Sequence, residues 1–270
     1  MKKKSTLYIV LALIAVGFFN FPIIWLAVVS LKPTDLIFLA PASITFKPTI
    51  EHFVNVFLQT PFLKYISNSL LVALTSSLLT IALSFPVGYS IARYKTGGES
   101  LLFWFLSLRI SPPIVFIIPI YFLFKTLNLL DQQLGLILIY QTFNVPLAVW
   151  LFRSYVQEIP LDYEEAALID GATRLQVITK ITLRLALPAV IAVFVLAFIA
   201  SWNEFLFALI LTITKSRTWA VGSQIFIGTY DIQWGELSAA GIVGVIPPLI
   251  LAYLLRKRLI EGFTMGLLKG

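Results

Sequence analysis

The chain has 270 residues, 59% of them apolar and only 12% charged, with a formal net charge of +7. Soluble domains carry roughly 25% charged residues, and 20 basic plus 13 acidic side chains cannot cover a protein of this size in water, which excludes a water-soluble globule. With no cysteine and His52 as the single histidine, a disulfide framework, a thiolate metal site and a cysteine nucleophile are excluded, and a catalytic triad or histidine-based zinc site nearly so. No catalytic residue and no metal ligand is expected.

A bilayer core about 30 Å thick needs around 20 apolar residues of helix. Runs of that kind extend, in chain order, over Leu7–Leu31, Ile66–Ala92, Leu101–Phe124, Gln132–Phe152, Leu185–Asn203 and Leu237–Leu255. Only Arg109 interrupts the third, and the fifth continues as an apolar stretch beyond Glu204. The expectation is an all-α, polytopic membrane protein with six transmembrane helices. Lys2–Lys4 ahead of an apolar run resembles a signal peptide, but 25 uncharged residues exceed a normal signal core and five more runs follow, so the first helix is read as uncleaved.

An even number of spans puts both termini on one side, and the basic residues choose the side. Thirteen of them, including Arg93, Arg153, Arg174, Lys180, Arg184 and Arg256, fall in the set with the termini, against six in the other set. Both termini are therefore expected in the cytoplasm, with the chain in the cytoplasmic (inner) membrane. That placement accounts for the basic excess, so a nucleic-acid partner loses its support. Nine of the 14 prolines, among them Pro86, Pro112, Pro113, Pro146 and Pro188, lie in or at the ends of these runs. Broken backbone survives at membrane depth only against protein or a watery cavity, so the prolines mark either simple kinks or helices that line a pathway.

Between the fourth and fifth runs lies the least lipid-like part of the chain, Arg153–Arg184. Pro160 suits a first helical turn, Asp162, Glu164 and Glu165 complement the positive end of the helix dipole, and Gly171 is a natural break. Leu161, Leu168, Leu175 and Ile178 recur at helical spacing. The pattern predicts a helix-turn-helix with an apolar face outside the membrane, which fits either a connector resting on lipid headgroups or an element that docks on a partner.

Glu165-Ala166-Ala167, Asp170-Gly171-Ala172 and the later Ile181 and Leu183 resemble the EAA motif of permease subunits of binding-protein-dependent ABC importers. Arg184 stands where that family usually has proline, with Pro188 following. Tyr65 with Asn68-Ser69-Leu70, Trp202-Asn203-Glu204-Phe205 and the closing Gly262–Gly270 stretch are similar to the carbohydrate-uptake branch, of the maltose permease G type. The resemblance implies a single permease domain over residues 1–270, with residues 159–188 as a cytoplasmic coupling segment. It also implies a heterodimer with a second permease, two ATPase subunits inside, and a solute-binding protein outside. Glu165, Ala166, Ala167, Asp170 and Gly171 are the implied ATPase-coupling residues. The chain holds no Gly-x-x-x-x-Gly-Lys-Ser/Thr loop, so ATP and magnesium belong to the partner ATPase and no cofactor to this chain.

Within the spans, Gln141 and Asn144 offer the hydrogen-bonding groups a sugar uses, or else bridge helices. Asn203 and Glu204 either line the mouth of a pathway or form a structural polar cluster, and Arg109 needs protein or water around it. The uncharged, aromatic stretch Thr218–Tyr230 is too short to span, and Phe226 and Tyr230 in it are candidate contacts for the binding protein, unless the loop packs on the neighbouring permease. A sugar of the di- or oligosaccharide class is the expected cargo, with a polyol or glycerol phosphate as the alternative. A stand-alone ion-driven carrier lacks paired intramembrane carboxylates, and an intramembrane enzyme lacks converging reactive groups.

Overall fold

The structure, a computed structural model, describes the backbone of residues 2–264 and the side chains of residues 8–256. Met265–Gly270, most of the closing stretch, and the side chains of Lys2–Lys4, Lys257, Arg258 and Lys269 lie outside the described residues. The described elements are helical apart from one isolated antiparallel bridge, Ile227 with Ile232. In chain order they are α1 Lys2–Ser30, α2 Thr34–Leu39, α3 Glu51–Leu58, α4 Phe62–Tyr94, α5 Gly98–Ser107, α6 Ile117–Thr126, α7 Gln133–Ile139, α8 Gln141–Glu158 and α9 Asp162–Ile169. They continue with α10 Arg174–Gln176, α11 Leu183–Leu185, α12 Leu187–Trp202, α13 Leu206–Leu211, α14 Trp219–Gly222 and α15 Trp234–Thr264.

Among the described residues three helices, Tyr8–Ser30, Phe62–Tyr94 and Trp234–Arg256, are long and apolar enough to cross a membrane, and two bent pairs raise the number to at most five. The sixth expected crossing is missing as a helix because the third apolar run is not continuous. It comprises α5, an irregular stretch, a 3-10 turn over Pro113–Phe116 and then α6. Pro112 and Pro113 explain the break: each lacks an N–H, and each disfavours helical geometry in the residue before it. The fourth run bends by 42° between α7 and α8. The fifth stops at Trp202 and restarts at Leu206.

The chain forms two compact units, one combining the residues up to Ile66 with Gly222–Pro247, the other comprising Ser67–Val221 and the chain from Pro248 onward. In the first unit the core is organised by buried polar groups. Lys32 is buried, its Nζ donating to the carbonyls of Ala40 (3.0 Å) and Pro41 (2.8 Å) while lying 6.0 Å and 5.5 Å from the ring centres of Trp25 and Phe46. The His52 ring, also buried, sits with Nε2 2.9 Å from the Lys32 carbonyl oxygen and Nδ1 3.2 Å from Glu236 Oε1. Gly235 makes this possible, since a Cβ there would come within 2.2 Å of the imidazole. The single histidine is thus packed in the core. Gly241 of the last helix packs on α1, where a Cβ would be in ordinary contact with the Leu26 side chain.

In the second unit α4, α8 and α12 share a core of Phe85, Tyr89, Phe152, Val156, Ala189 and Val193. Gly88 lets α4 approach α8 so closely that a Cβ would lie 2.7 Å from the Phe152 Cβ. A second cluster packs α6 and α7 on α13 through Phe124, Leu136, Phe207 and Leu211. Asp131 clamps the chain beyond α13, accepting from the backbone N–H groups of Ile213 (3.0 Å), Thr214 (3.1 Å), Lys215 (3.0 Å) and Ser216 (3.0 Å). Partial burial raises its pKa, but those donors prevail and hold the carboxyl at about 2. Asn68 and Ser69 hold the same loop from α4: Asn68 donates to the carbonyls of Lys215 and Arg217, and Ser69 accepts from the Trp219 N–H.

Candidate functional site

The segment after α8 forms the expected helix-turn-helix, and its turn is closed by backbone chemistry. Gly171 has φ +87°, a conformation that costs a side-chain-bearing residue about 1–2 kcal/mol. Its N–H reaches the Leu168 carbonyl (3.1 Å) and the Ala172 N–H reaches that of Ala167 (2.9 Å), the paired bonds of a Schellman motif. Thr173 and Gln176 then form a reciprocal capping box that starts α10. A six-residue π-helix, Val177–Thr182, follows, and the Arg174–Leu185 arm meets α12 at 75°. Arg184 in place of the family's proline has therefore not straightened this junction.

Of the implied coupling residues, Glu165, Ala166, Asp170 and Gly171 are exposed, whereas Ala167 is turned into the core. Exposed apolar side chains accompany them, chiefly Ile169 (86% exposed) and Leu175. Glu164, the neighbour of the motif, is 5% exposed. Read from sequence it was only a helix-dipole residue, and no spacing rule separates a buried carboxylate from an exposed one beside it.

A second candidate site lies where helices break. A cavity of about 590 Å³ opens between the interrupted third run, the start of α8 and the α12–α13 break. Arg109, Phe116, Ile120, Thr142, Glu204 and Phe207 are on its wall. Glu204 accepts from the N–H groups of Phe207 (2.8 Å) and Ala208 (3.0 Å), so it caps α13 and supplies the partners that the break leaves free. Arg109 is exposed on this wall, and among the described residues no carboxylate lies within 4.0 Å of its guanidinium.

Gln141 and Asn144 are not on that wall. Gln141 donates to Ser76 Oγ (2.9 Å) and accepts from Thr80 Oγ1 (2.8 Å), and Asn144 donates to Ser201 Oγ (2.9 Å). They bridge α8 to α4 and α12, so their polar atoms are spent on helix packing. Asn203 is exposed and donates back to the Ile199 carbonyl (3.0 Å). In the first unit, Phe226 is buried at 2% exposed and packs on Phe62, whereas Tyr230, at the tip of the Ile227–Ile232 bridge, is 100% exposed. Phe226 is therefore an anchor and only Tyr230 is a surface residue, a distinction the aromatic composition of the stretch did not carry.

Residues 84–264 match the family model described as binding-protein-dependent transport system inner membrane component. The chain belongs to this family. It is 39% identical over 250 residues to a probable ABC transporter permease protein of Sinorhizobium fredii, covering 92% of this chain and 90% of that protein. It is 35% identical over 273 residues to the trehalose/maltose transport system permease protein MalG of Thermococcus litoralis, covering 99% and 98%. The fold matches a bacterial ABC transporter involved in the import of the acidic polysaccharide alginate, with a TM-score of 0.79, 20% identity, and coverage of 95% and 96%. The matched region of the permease takes in the helix-turn-helix and both helix breaks at the cavity.

The two roles open to Glu204 predict different mutants. Glu204→Ala orphans two N–H groups at the α13 start and is expected to destabilise the permease by about 1–2 kcal/mol. Glu204→Gln keeps one acceptor oxygen and is expected to retain most of the yield. Thermal midpoints of the purified complex check this; equal midpoints for Ala and wild type would remove the capping role.

Proposed function

We propose that this permease subunit carries a sugar of the di- or oligosaccharide class through the cytoplasmic membrane, paired with a second permease and driven by two ATPase subunits that hydrolyse ATP with magnesium. In this reading the chain crosses six times, α5 and α6 together forming the third crossing around the break at Pro112. Both termini and the helix-turn-helix face the cytoplasm, as the excess of basic residues on that side supports. The observation that carries the reading is the two-helix element itself. Its turn is fixed by Gly171 and its exposed face joins Ile169 and Leu175 to Glu165, Ala166 and Asp170. Such a face outside the bilayer calls for a protein partner, and an ATPase subunit is the partner that supplies force.

The cavity walled by Arg109, Thr142 and Glu204 is the stretch of pathway this chain contributes. Its walls come from broken helices, whose irregular backbone is tolerated at membrane depth where a watery cavity faces it. Asn203, exposed at the same break, is proposed as a further pathway residue beside that wall. The sugar class is supported by the 35% identity to a trehalose/maltose permease over nearly the full length. Tyr230 is the proposed contact for the extracytoplasmic binding protein, with Phe226 holding the hairpin beneath it.

Gly171→Val puts a β-branched residue at φ +87°, so the turn opens at a cost of about 1–2 kcal/mol. The expected outcome is loss of ATPase subunits from the purified complex, or ATP hydrolysis no longer coupled to uptake. Wild-type assembly and uptake in Gly171→Val would refute the docking reading. For the proposed binding-protein contact, Tyr230→Ala is expected to lower the stimulation of ATP hydrolysis by the binding protein while basal hydrolysis stays at the wild-type rate. Equal loss of both would assign the hairpin to packing.

A further inference from the structure

We propose that Glu164 is the positioning residue that fastens the coupling element to the C-terminal end of α4, so that the element and α4 move as one body during the ATPase stroke. This rests on the docking reading above and goes beyond it, because docking by itself requires only that force reach α12, to which the element is joined covalently.

Glu164 is 5% exposed, and its carboxylate gathers donors from two elements besides its own. From α4, the Tyr89 hydroxyl donates to Oε2 (2.8 Å), and Arg93 Nε donates to Oε1 (2.9 Å) with Nη2 also 2.9 Å from that oxygen. From the π-helix, Thr182 Oγ1 donates to Oε1 (3.0 Å). Arg93 Nη2 also donates to the carbonyl of Ile159, just past α8 (2.9 Å). Nearby, Arg174 Nη1 donates to the Tyr94 hydroxyl at the end of α4 (2.9 Å). A buried charge pair with its remaining donors satisfied is geometrically demanding and breaks as a unit. It therefore resists sliding, unlike an apolar contact of the same area.

The consequence follows from what hangs on α4. Its Ser76 and Thr80 take part in the Gln141 bridge to α8. With Glu164 in place, displacement of the coupling element is delivered to α4, α8 and α12 together. Without it, the element keeps its covalent junctions, its apolar contacts and the single Arg174–Tyr94 hydrogen bond, and the stroke reaches α12 with much less of it delivered to α4.

The chain contains no cysteine, which makes paired labels clean. Spin labels at Leu83→Cys on α4 and Lys180→Cys in the π-helix would be placed in the assembled transporter, and their distance compared between nucleotide-free and vanadate-trapped states. With native Glu164 the distance is expected to stay the same within the width of its distribution. In Glu164→Gln it should broaden, and uptake per ATP hydrolysed should fall several-fold while hydrolysis persists. Because Glu164→Gln risks poor folding, Tyr89→Phe with Thr182→Val removes two donors while keeping the Arg93 pair, and should give the same change in weaker form.

A shift of the distance on trapping with native Glu164 would overturn the inference, as would unchanged distance and coupling in both sets of variants. A cross-link between Ile169→Cys and the ATPase subunit reports docking separately. If it forms while the element moves independently of α4, this inference alone falls. If it fails to form, the docking reading falls and takes the inference with it.

Discussion

Inside a bilayer there is no water to satisfy a free N–H or C=O, and the structure of this permease turns on how it meets that demand where its helices stop. At Pro112-Pro113 and again at Asn203–Phe205 the chain leaves helical geometry within an apolar run. Each break exposes orphan backbone groups worth several kcal/mol in hydrocarbon. At the second break the Glu204 carboxylate takes up two of the N–H groups. At both, the irregular chain faces one cavity. Irregular backbone and cavity thus occur together: chain that leaves helical geometry within an apolar run needs its polar groups satisfied by a side chain such as Glu204 or by the space it faces.

The polar side chains within the apolar runs sort by whether they have found a partner. Ser76, Thr80, Gln141, Asn144 and Ser201 bond to one another across three helices and so fix how α4, α8 and α12 pack. Among the described residues Arg109 has no carboxylate partner on the cavity wall, although a guanidinium at membrane depth costs roughly 2.5–3.5 kcal/mol on insertion scales. That cost is tolerable where water or cargo solvates the group, which is the condition a transport pathway provides. The same logic runs through Glu164, whose burial is offset by an arginine and a tyrosine of α4 and a threonine of the π-helix.

Composition and apolar run length made the all-helical membrane class legible, and the EAA-like segment was legible as a two-helix element because Gly171 and the acidic first turn carry local, short-range signals. The number of continuous crossings was not. A run of apolar residues reports solubility in lipid, and Leu101–Phe124 keeps that property while Pro112-Pro113 divides it into separate helices. Gln141 and Asn144 read in sequence either as sugar-binding amides or as helix bridges, because an amide looks the same whether it faces a cavity or a neighbouring helix; the bonds to Ser76, Thr80 and Ser201 are of the bridging kind. The burial of Glu164 and Phe226 was not legible either, because it is decided by partners distant in sequence: Tyr89, Arg93 and Thr182 for Glu164, and Phe62 for Phe226.

If the broken helices line a pathway, their cavity wall must meet water, and must do so in a manner that depends on the state of the ATPase. A single Thr142→Cys on that wall, in the otherwise cysteine-free chain, would be treated in the assembled transporter with a membrane-impermeant thiol reagent, with Phe122→Cys on an exposed apolar position as the lipid-facing control. The account predicts that Thr142→Cys reacts, that its rate changes when nucleotide is trapped with vanadate, and that Phe122→Cys stays unreactive in both states. A Thr142→Cys that is as unreactive as Phe122→Cys in every state would contradict it.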